Sequence, residues 1–353
     1  MPRGRDVTEI IGWGLVGASN IARQRVARAI ADSTRGELIA VMSHRLELAN
    51  AFAAEFAIPQ AFDSLQSVLG HPRVNAVYIS STNQHHHAQV LAAAAAGKHV
   101  LCEKPLATTL DDAIDMVRAC ADAGVVFGTN HHLRNSTTIQ AMRELVAAGR
   151  IGTPLRALVS QPVHVPASQW RRNDPGAGSG VSFDVLVHGA DAIRYILGRE
   201  PREVCAMGRS SASMTGGVND TIMATFGFDG GTLASLYADF NAPQGRTRVE
   251  IHGSEASIYG SDVLGKTPHH RGRVTLRHDD RDEEVAVESQ DSRYLAGINR
   301  FNEAILGRGA PACTGLDGVR SLAMILAAES AALSRRTERV SGVGVGGEGG
   351  SPP

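Results

Sequence analysis

The sequence predicts an α/β protein in two parts, a doubly wound parallel sheet followed by a second α/β unit on a mainly antiparallel sheet. Two observations carry this prediction. Over the first 130 residues short apolar runs alternate with longer segments of helical spacing, the pattern of right-handed β-α-β crossovers whose parallel sheet is covered on both faces. From Val204 to about Val287, short strands succeed one another between Gly and Asn/Asp turns, the pattern of an antiparallel sheet.

The first-half strands are expected at Ile11–Val16, Leu38–Ser43, Ala76–Ser81, His99–Cys102 and Val125–Thr129. Helical spacing occupies Ile21–Ile30, Arg45–Phe56, His86–Ala96 and Leu110–Ala123. After Asn130 a helix over Thr138–Ala148 stops at Gly149, and a strand over Leu155–Val163 follows. The turn-rich stretch Asn173–Gly180 leads into a helix near Asp184–Leu197. Strands are expected at Thr221–Phe228, Thr232–Ala238, Arg246–His252 and Val274–His278, before closing helices at Tyr294–Leu306 and Gly318–Ser334. The tail from Gly342 to Pro353 is mostly Gly, Ser and Pro and is expected to be disordered. The expected division is 8–130 for the first domain, 131–340 for the second and 341–353 for the tail.

Composition excludes several classes. Lys+Arg 35 against Asp+Glu 36 leaves a net charge of −1, too balanced for a nucleic-acid partner. No run approaches the roughly 18 apolar residues of a membrane span. Met1–Thr8 is not followed by an apolar stretch ending at a small-residue cleavage site, so no secretory signal is expected. Cys102, Cys120, Cys205 and Cys313 form no Cys-x-x-Cys pair, which argues against a zinc ribbon or a disulfide scaffold and for a reducing cytoplasm. An enzyme is the leading class.

Two glycine-rich registers compete near the N-terminus. Gly12-Trp13-Gly14-Leu15-Val16-Gly17 matches G-x-G-x-x-G by letter, but Leu15-Val16 still belongs to the apolar run. Gly17-Ala18-Ser19-Asn20-Ile21-Ala22 lies between strand and helix, where a dinucleotide phosphate loop must lie. We take the second register, with Gly17 making the turn and the Ser19 hydroxyl donating to a phosphate. NAD enzymes place an acidic residue about 20 residues on, at the end of the second strand. Glu37 starts that strand instead, and the strand end reads Ser43-His44-Arg45. A hydroxyl and a guanidinium suit a 2′-phosphate, so NADPH is expected ahead of NADH.

Several segments carry candidate side chains. Cys102-Glu103-Lys104-Pro105 ends a strand on the ligand edge, and Lys104 could polarise a carbonyl oxygen. In Asp184-x-x-x-His188-x-x-Asp191, helical spacing places the three polar groups on one face, with His188 able to exchange a proton near neutral pH. No thiolate is near in sequence, and no metal is expected. His85-His86-His87 follows Ser81-Thr82-Asn83, and its side chains point in different directions; Asn130-His131-His132 follows a later strand; His269-His270 reads as solvent-exposed.

Together, Gly17–Ala22, Glu103-Lys104-Pro105 and Asp184-x-x-x-His188-x-x-Asp191 resemble the Gfo/Idh/MocA family of glucose-fructose oxidoreductase and inositol dehydrogenase. The resemblance runs from about Ile11 to Ser334. Trp13–Ser19, Gly97–Leu106 and Gly128–Asn135 are similar to stretches of members that reduce 1,5-anhydro-D-fructose. It implies a Rossmann domain, then an α/β domain with an open sheet. It further implies cofactor contacts from Gly17, Ser19, Asn20, Ile21, Ser43 and Arg45, and from Ser81, Thr82, Asn83, His86, Glu103 and Lys104. Lys104, His188 and Asp184 would be catalytic, with His131, Trp170 and Arg171 joining them around the substrate. Those members carry an Arg five residues beyond the strand-two Ser, where this chain has Leu48, leaving the phosphate contact to Arg45. The implied activity is NADPH-dependent reduction of a cyclic sugar ketone, 1,5-anhydro-D-fructose to 1,5-anhydro-D-mannitol. Dehydrogenation of another sugar or an inositol, and a non-catalytic NADP-binding sensor, are the alternatives. The expected partner is a small sugar, for a monomer or a homo-oligomer.

Overall fold

Alternation along the first strand sets the layering of the first half. The computed structural model describes residues 9–211, 214, 216–264, 272–288 and 292–342; His269-His270 and the tail beyond Gly342 lie outside them. In β1 (Ile11–Val16) the side chains of Ile11, Trp13 and Leu15 enter one core layer and Val16 enters the other. Gly12 and Gly14 alternate with the large residues for a steric reason. A Cβ on Gly12 would stand 1.8 Å from the Arg73 carbonyl oxygen, and one on Gly14 2.5 Å from Val68 Cγ1.

A π-helical turn (Ala22–Val26) runs into α1 (Ala27–Ala31), followed by β2 (Gly36–Met42) and α2 (Leu46–Phe56). The chain continues through β3 (Gln60–Phe62), α3 (Leu65–Leu69), β4 (Ala76–Ile79), α4 (His86–Ala95), β5 (His99–Cys102), α5 (Leu110–Asp122) and β6 (Phe127–Thr129). These six strands are all parallel, in the order β3-β2-β1-β4-β5-β6. The direction of winding reverses between β1 and β4, which opens a crevice at their carboxyl ends. Neither β3 nor α3 is among the expected elements, because at three and five residues both are too short for an apolar period to show.

The second half comprises α6 (Thr137–Ala147), β7 (Pro154–Pro162), α7 (Trp170–Asn173) and a second π turn (Ser182–Leu186) leading into α8 (Val187–Leu197). Then come β8 (Pro201–Arg209), β9 (Thr221–Phe228), β10 (Leu233–Asp239), β11 (Arg248–Gly253), β12 (Ser257–Ser261), β13 (Arg273–His278) and β14 (Arg281–Glu284). Helices α9 (Arg293–Ile305) and α10 (Gly315–Ser334) and the short β15 (Glu338–Arg339) are the last elements among the described residues. The nine strands are ordered β14-β13-β12-β11-β7-β10-β9-β8-β15, and only β7 and β10 run parallel. Helices α6, α8 and α10 cover one face; the other exposes Leu155, Leu158, Met223 and Leu233.

Helix α9 crosses back to the first half. Its Ile298 and Phe301 share a buried cluster with Trp13, Leu15, Phe52 and Tyr78. The Trp13 indole N–H donates to Asn302 Oδ1 at 3.0 Å, and its ring lies 5.5 Å from that of Phe301. One helix therefore ties the ends of the chain together.

Candidate active site

A crevice of about 1140 Å³ follows the carboxyl edge of the parallel sheet and continues under the second unit. Gly17, the first residue after β1, has φ +106°, and a Cβ there would stand 3.0 Å from the Ser81 backbone nitrogen. A side chain would close the space between two strand-end loops as well as strain the backbone. Ser19 Oγ donates to Ser80 Oγ at 2.9 Å and accepts from Ala22 N–H at 3.2 Å. Asn20 and Ile21 complete this wall, Ser43 and His44 line the end near β2, and Ser81, Thr82 and Asn83 line the β4 side. Arg45 is exposed as the N-cap of α2. At the opposite end of β2, Glu37 pairs with Arg73 at 2.7 Å. Asn83 Nδ2 donates to the Gly178 carbonyl at 3.1 Å, linking the two units.

His86 is a correction to the expected cofactor contacts. Its ring is fully buried, with Nδ1 3.0 Å from the Pro105 carbonyl and Nε2 3.2 Å from that of Ser81. Burial lowers its pKa. The ring braces the two cofactor-side loops from behind and does not line the crevice.

Glu103 is an anchor for its neighbour. Its carboxylate accepts from the Tyr78 hydroxyl and from Asn130 Nδ2 at 2.8 Å, while Asn130 also reaches Tyr78 Oη at 2.6 Å. Burial and the Glu103 charge hold the Tyr78 phenol well above its ordinary pKa. The Lys104 backbone N–H donates to Glu103 Oε2 at 3.2 Å. With its backbone held, Lys104 extends Nζ to the Asp184 carbonyl at 2.8 Å and Asp184 Oδ1 at 3.3 Å. Arg171 Nε reaches the same Oδ1 at 3.0 Å, and its guanidinium lies 5.0 Å from the Trp170 ring centre. Lys104, Trp170, Arg171, Asp184 and His188 thus line one stretch of the crevice.

The expected single polar face of Asp184, His188 and Asp191 is corrected. Asp184 lies in the π turn and His188 in α8, while Asp191 follows His188 by three α-helical residues, a rotation that leaves it about 60° away from His188 around the helix. Asp184 and His188 face the crevice, whereas Asp191 is buried against Arg134, whose Nε and Nη2 approach it at 2.9 and 2.8 Å. His131 is likewise displaced from its expected place at the substrate. It is 2% exposed, its Nδ1 is 3.9 Å from Asp191 Oδ2, and burial presses its pKa down to about 4. The neighbouring His132 takes the crevice position, because the 3₁₀ turn of His132–Asn135 turns the chain immediately after His131. The His132 ring stacks on Tyr294 at 4.9 Å and meets His188 edge-on at 5.1 Å. Tyr294 escaped the sequence reading because α9 arrives from far along the chain.

His131, Asp191 and Cys313 bring three ligand atoms within 4.8 Å of one another. The cluster does not suit a dication. Arg134 already occupies the Asp191 carboxylate, Arg194 approaches it at 3.8 Å, and burial keeps the Cys313 thiol protonated.

The chain matches a family model described as "Oxidoreductase family, NAD-binding Rossmann fold" over residues 11–131, and the GFO/IDH/MocA C-terminal domain over 139–259. A 1,5-anhydro-D-fructose reductase of Ensifer adhaerens is 42% identical over 330 residues, 93% of this chain and 98% of that protein. A myo-inositol 2-dehydrogenase of Thermotoga maritima is 27% identical over 94% of this chain and 97% of its own. The crystal structure of aldose-aldose oxidoreductase from Caulobacter crescentus, complexed with glycerol, superposes with a TM-score of 0.87 at 24% identity, covering 94% of this chain and 99% of that one.

Proposed function

The chain belongs to the GFO/IDH/MocA family of NAD(P)-dependent oxidoreductases, and on that premise we propose that it reduces the ketone of a cyclic sugar, 1,5-anhydro-D-fructose to 1,5-anhydro-D-mannitol, with NADPH. The meeting of Lys104 Nζ and Arg171 Nε on Asp184 Oδ1, in the crevice that His188 also lines, carries this reading. The 42% identity to the Ensifer reductase supports the choice of substrate. NADH would serve less well, because the strand-two end offers Ser43 and Arg45 to a 2′-phosphate and no carboxylate to a free ribose hydroxyl.

The residues fit a dinucleotide. Gly17 keeps clear the space a Cβ would fill, and Ala18, Ser19, Asn20 and Ile21 line the crevice beside it, where the chain enters a helical segment and a diphosphate would lie. When bound, the nicotinamide supplies a hydride to the ketone carbon. His188 donates the proton that the oxygen takes up, so ketone, hydride and proton balance as an alcohol. Lys104 stabilises the negative charge growing on that oxygen. Asp184 keeps the Lys104 ammonium and the Arg171 guanidinium in place, and Trp170 offers a flat apolar wall to the sugar ring.

NADPH oxidation followed over a panel of ketoses, anhydroketoses and inososes tests the proposal. The highest kcat/KM is expected with 1,5-anhydro-D-fructose and NADPH. Preference for an inosose would reassign the substrate, and cofactor binding without turnover of any ketone would remove the catalytic reading.

A further inference from the structure

We propose that Arg25 and Arg293 form a second, cationic grip on the diphosphate of the dinucleotide, applied from α9 across the phosphate loop. The inference rests on reading the crevice as a dinucleotide site. Arg25 lies in the π turn that follows the Gly17–Ile21 loop, and Arg293 is the first residue of α9. Both side chains line the same crevice as that loop. Helix α9 packs directly on the π turn and on α1, so residues from opposite ends of the chain converge on one place.

Two guanidinium groups that line one partly dehydrated cleft repel each other. The repulsion registers on Arg293, whose pKa is lowered by burial and further by the Arg25 charge. An anion beside the pair offsets that cost, and a guanidinium matches phosphate oxygens in a paired, planar fashion. Among the groups that would enter the crevice, the diphosphate is the one bound next to the loop preceding Arg25. The sugar is neutral and is placed at Lys104 and His188, while a 2′-phosphate would lie by Ser43.

The grip differs from the Arg45 contact in what it reads. A diphosphate is common to NADH and NADPH, so Arg25→Gln and Arg293→Gln should each raise Kd for both cofactors by the same factor, about tenfold. Binding of AMP, which lacks the bridging diphosphate, should change far less. Arg293→Lys should recover part of the loss, since it keeps the charge without the paired geometry. Salt should weaken NADPH binding more steeply in the wild type than in either Gln variant.

Titration calorimetry of wild type, Arg25→Gln, Arg293→Gln and Arg293→Lys with NADH, NADPH and AMP tests this. Wild-type Kd values for both cofactors in both Gln variants would overturn the grip. Loss confined to NADPH would move these arginines to the 2′-phosphate, and an effect on the sugar KM alone would give them to the substrate; either result overturns the assignment. Turnover without any such change in Kd would sink the grip and leave the reductase reading intact. The expected Kd changes in a protein that reduces no sugar ketone would do the reverse.

Discussion

At the scale of single residues, His188 and His131 are a histidine pair with opposite prospects. Their rings meet edge-on at 6.3 Å, one facing the crevice and the other sealed behind it. If His188 is the proton donor, His188→Ala should lower kcat by about a hundred- to ten-thousand-fold with little change in cofactor affinity. Single-turnover hydride transfer at the unmodified rate would reassign the proton to Lys104 or water. His131 should act on stability. Its pKa is pressed from an ordinary 6.5 to about 4 in the folded state, so the unfolded chain binds the extra proton between those values. The contribution is therefore complete above pH 6.5 and is lost as pH falls toward 4, up to about 3 kcal/mol in all. Denaturant titrations at pH 7 and pH 5 should show this loss, and His131→Phe should remove much of the slope; an identical slope would count against it. His86, also lowered by burial, adds in the same direction. Lys104, Asp184 and His188 were legible in the sequence because each sits in a short motif with its own chemical signature. The exchange of His131 for His132 was not, since one residue of turn geometry decides which ring reaches the crevice.

At the scale of elements, steric fit separates the two glycine registers. Gly12→Ala puts a methyl group against a backbone carbonyl inside a packed sheet, and should cost about 3 kcal/mol by urea unfolding while leaving the cofactor Kd of the folded protein alone. A weakened Kd with normal stability would return Gly12 to the phosphate loop. The start of α2 carries the cofactor prediction. Arg45→Ala should raise the KM for NADPH about ten- to a hundredfold more than that for NADH, and equal effects would remove the 2′-phosphate assignment. The main strands and helices were legible because their apolar periods are long enough to read. The two π turns were not, because no residue pattern in Ala22–Val26 or Ser182–Leu186 distinguishes i→i+5 from i→i+4 bonding. Yet these turns place Arg25 and Asp184 in the crevice.

At the scale of the whole molecule, the architecture was legible as two successive sheets, and the return of α9 to the first of them was not. Amphipathic spacing shows that a helix buries one face, but not which sheet receives it. Phe301 is 1% exposed against Trp13, so Phe301→Ala should destabilise the protein by about 3–5 kcal/mol, measured by denaturant unfolding. A cost typical of an exposed site would mean that α9 is only loosely attached to the parallel sheet. The hydrogen bond from Trp13 to Asn302 spans 289 positions of sequence, and that separation bears on how the protein is made. A ribosome adding about 5–20 residues per second needs roughly 15–60 s to travel from one partner to the other. Throughout that interval the nascent parallel sheet presents Trp13, Leu15 and Tyr78 without the helix that covers them. Birth of the chain thus includes a waiting period in which its earliest-made layer is open to holding chaperones and to premature association with other chains.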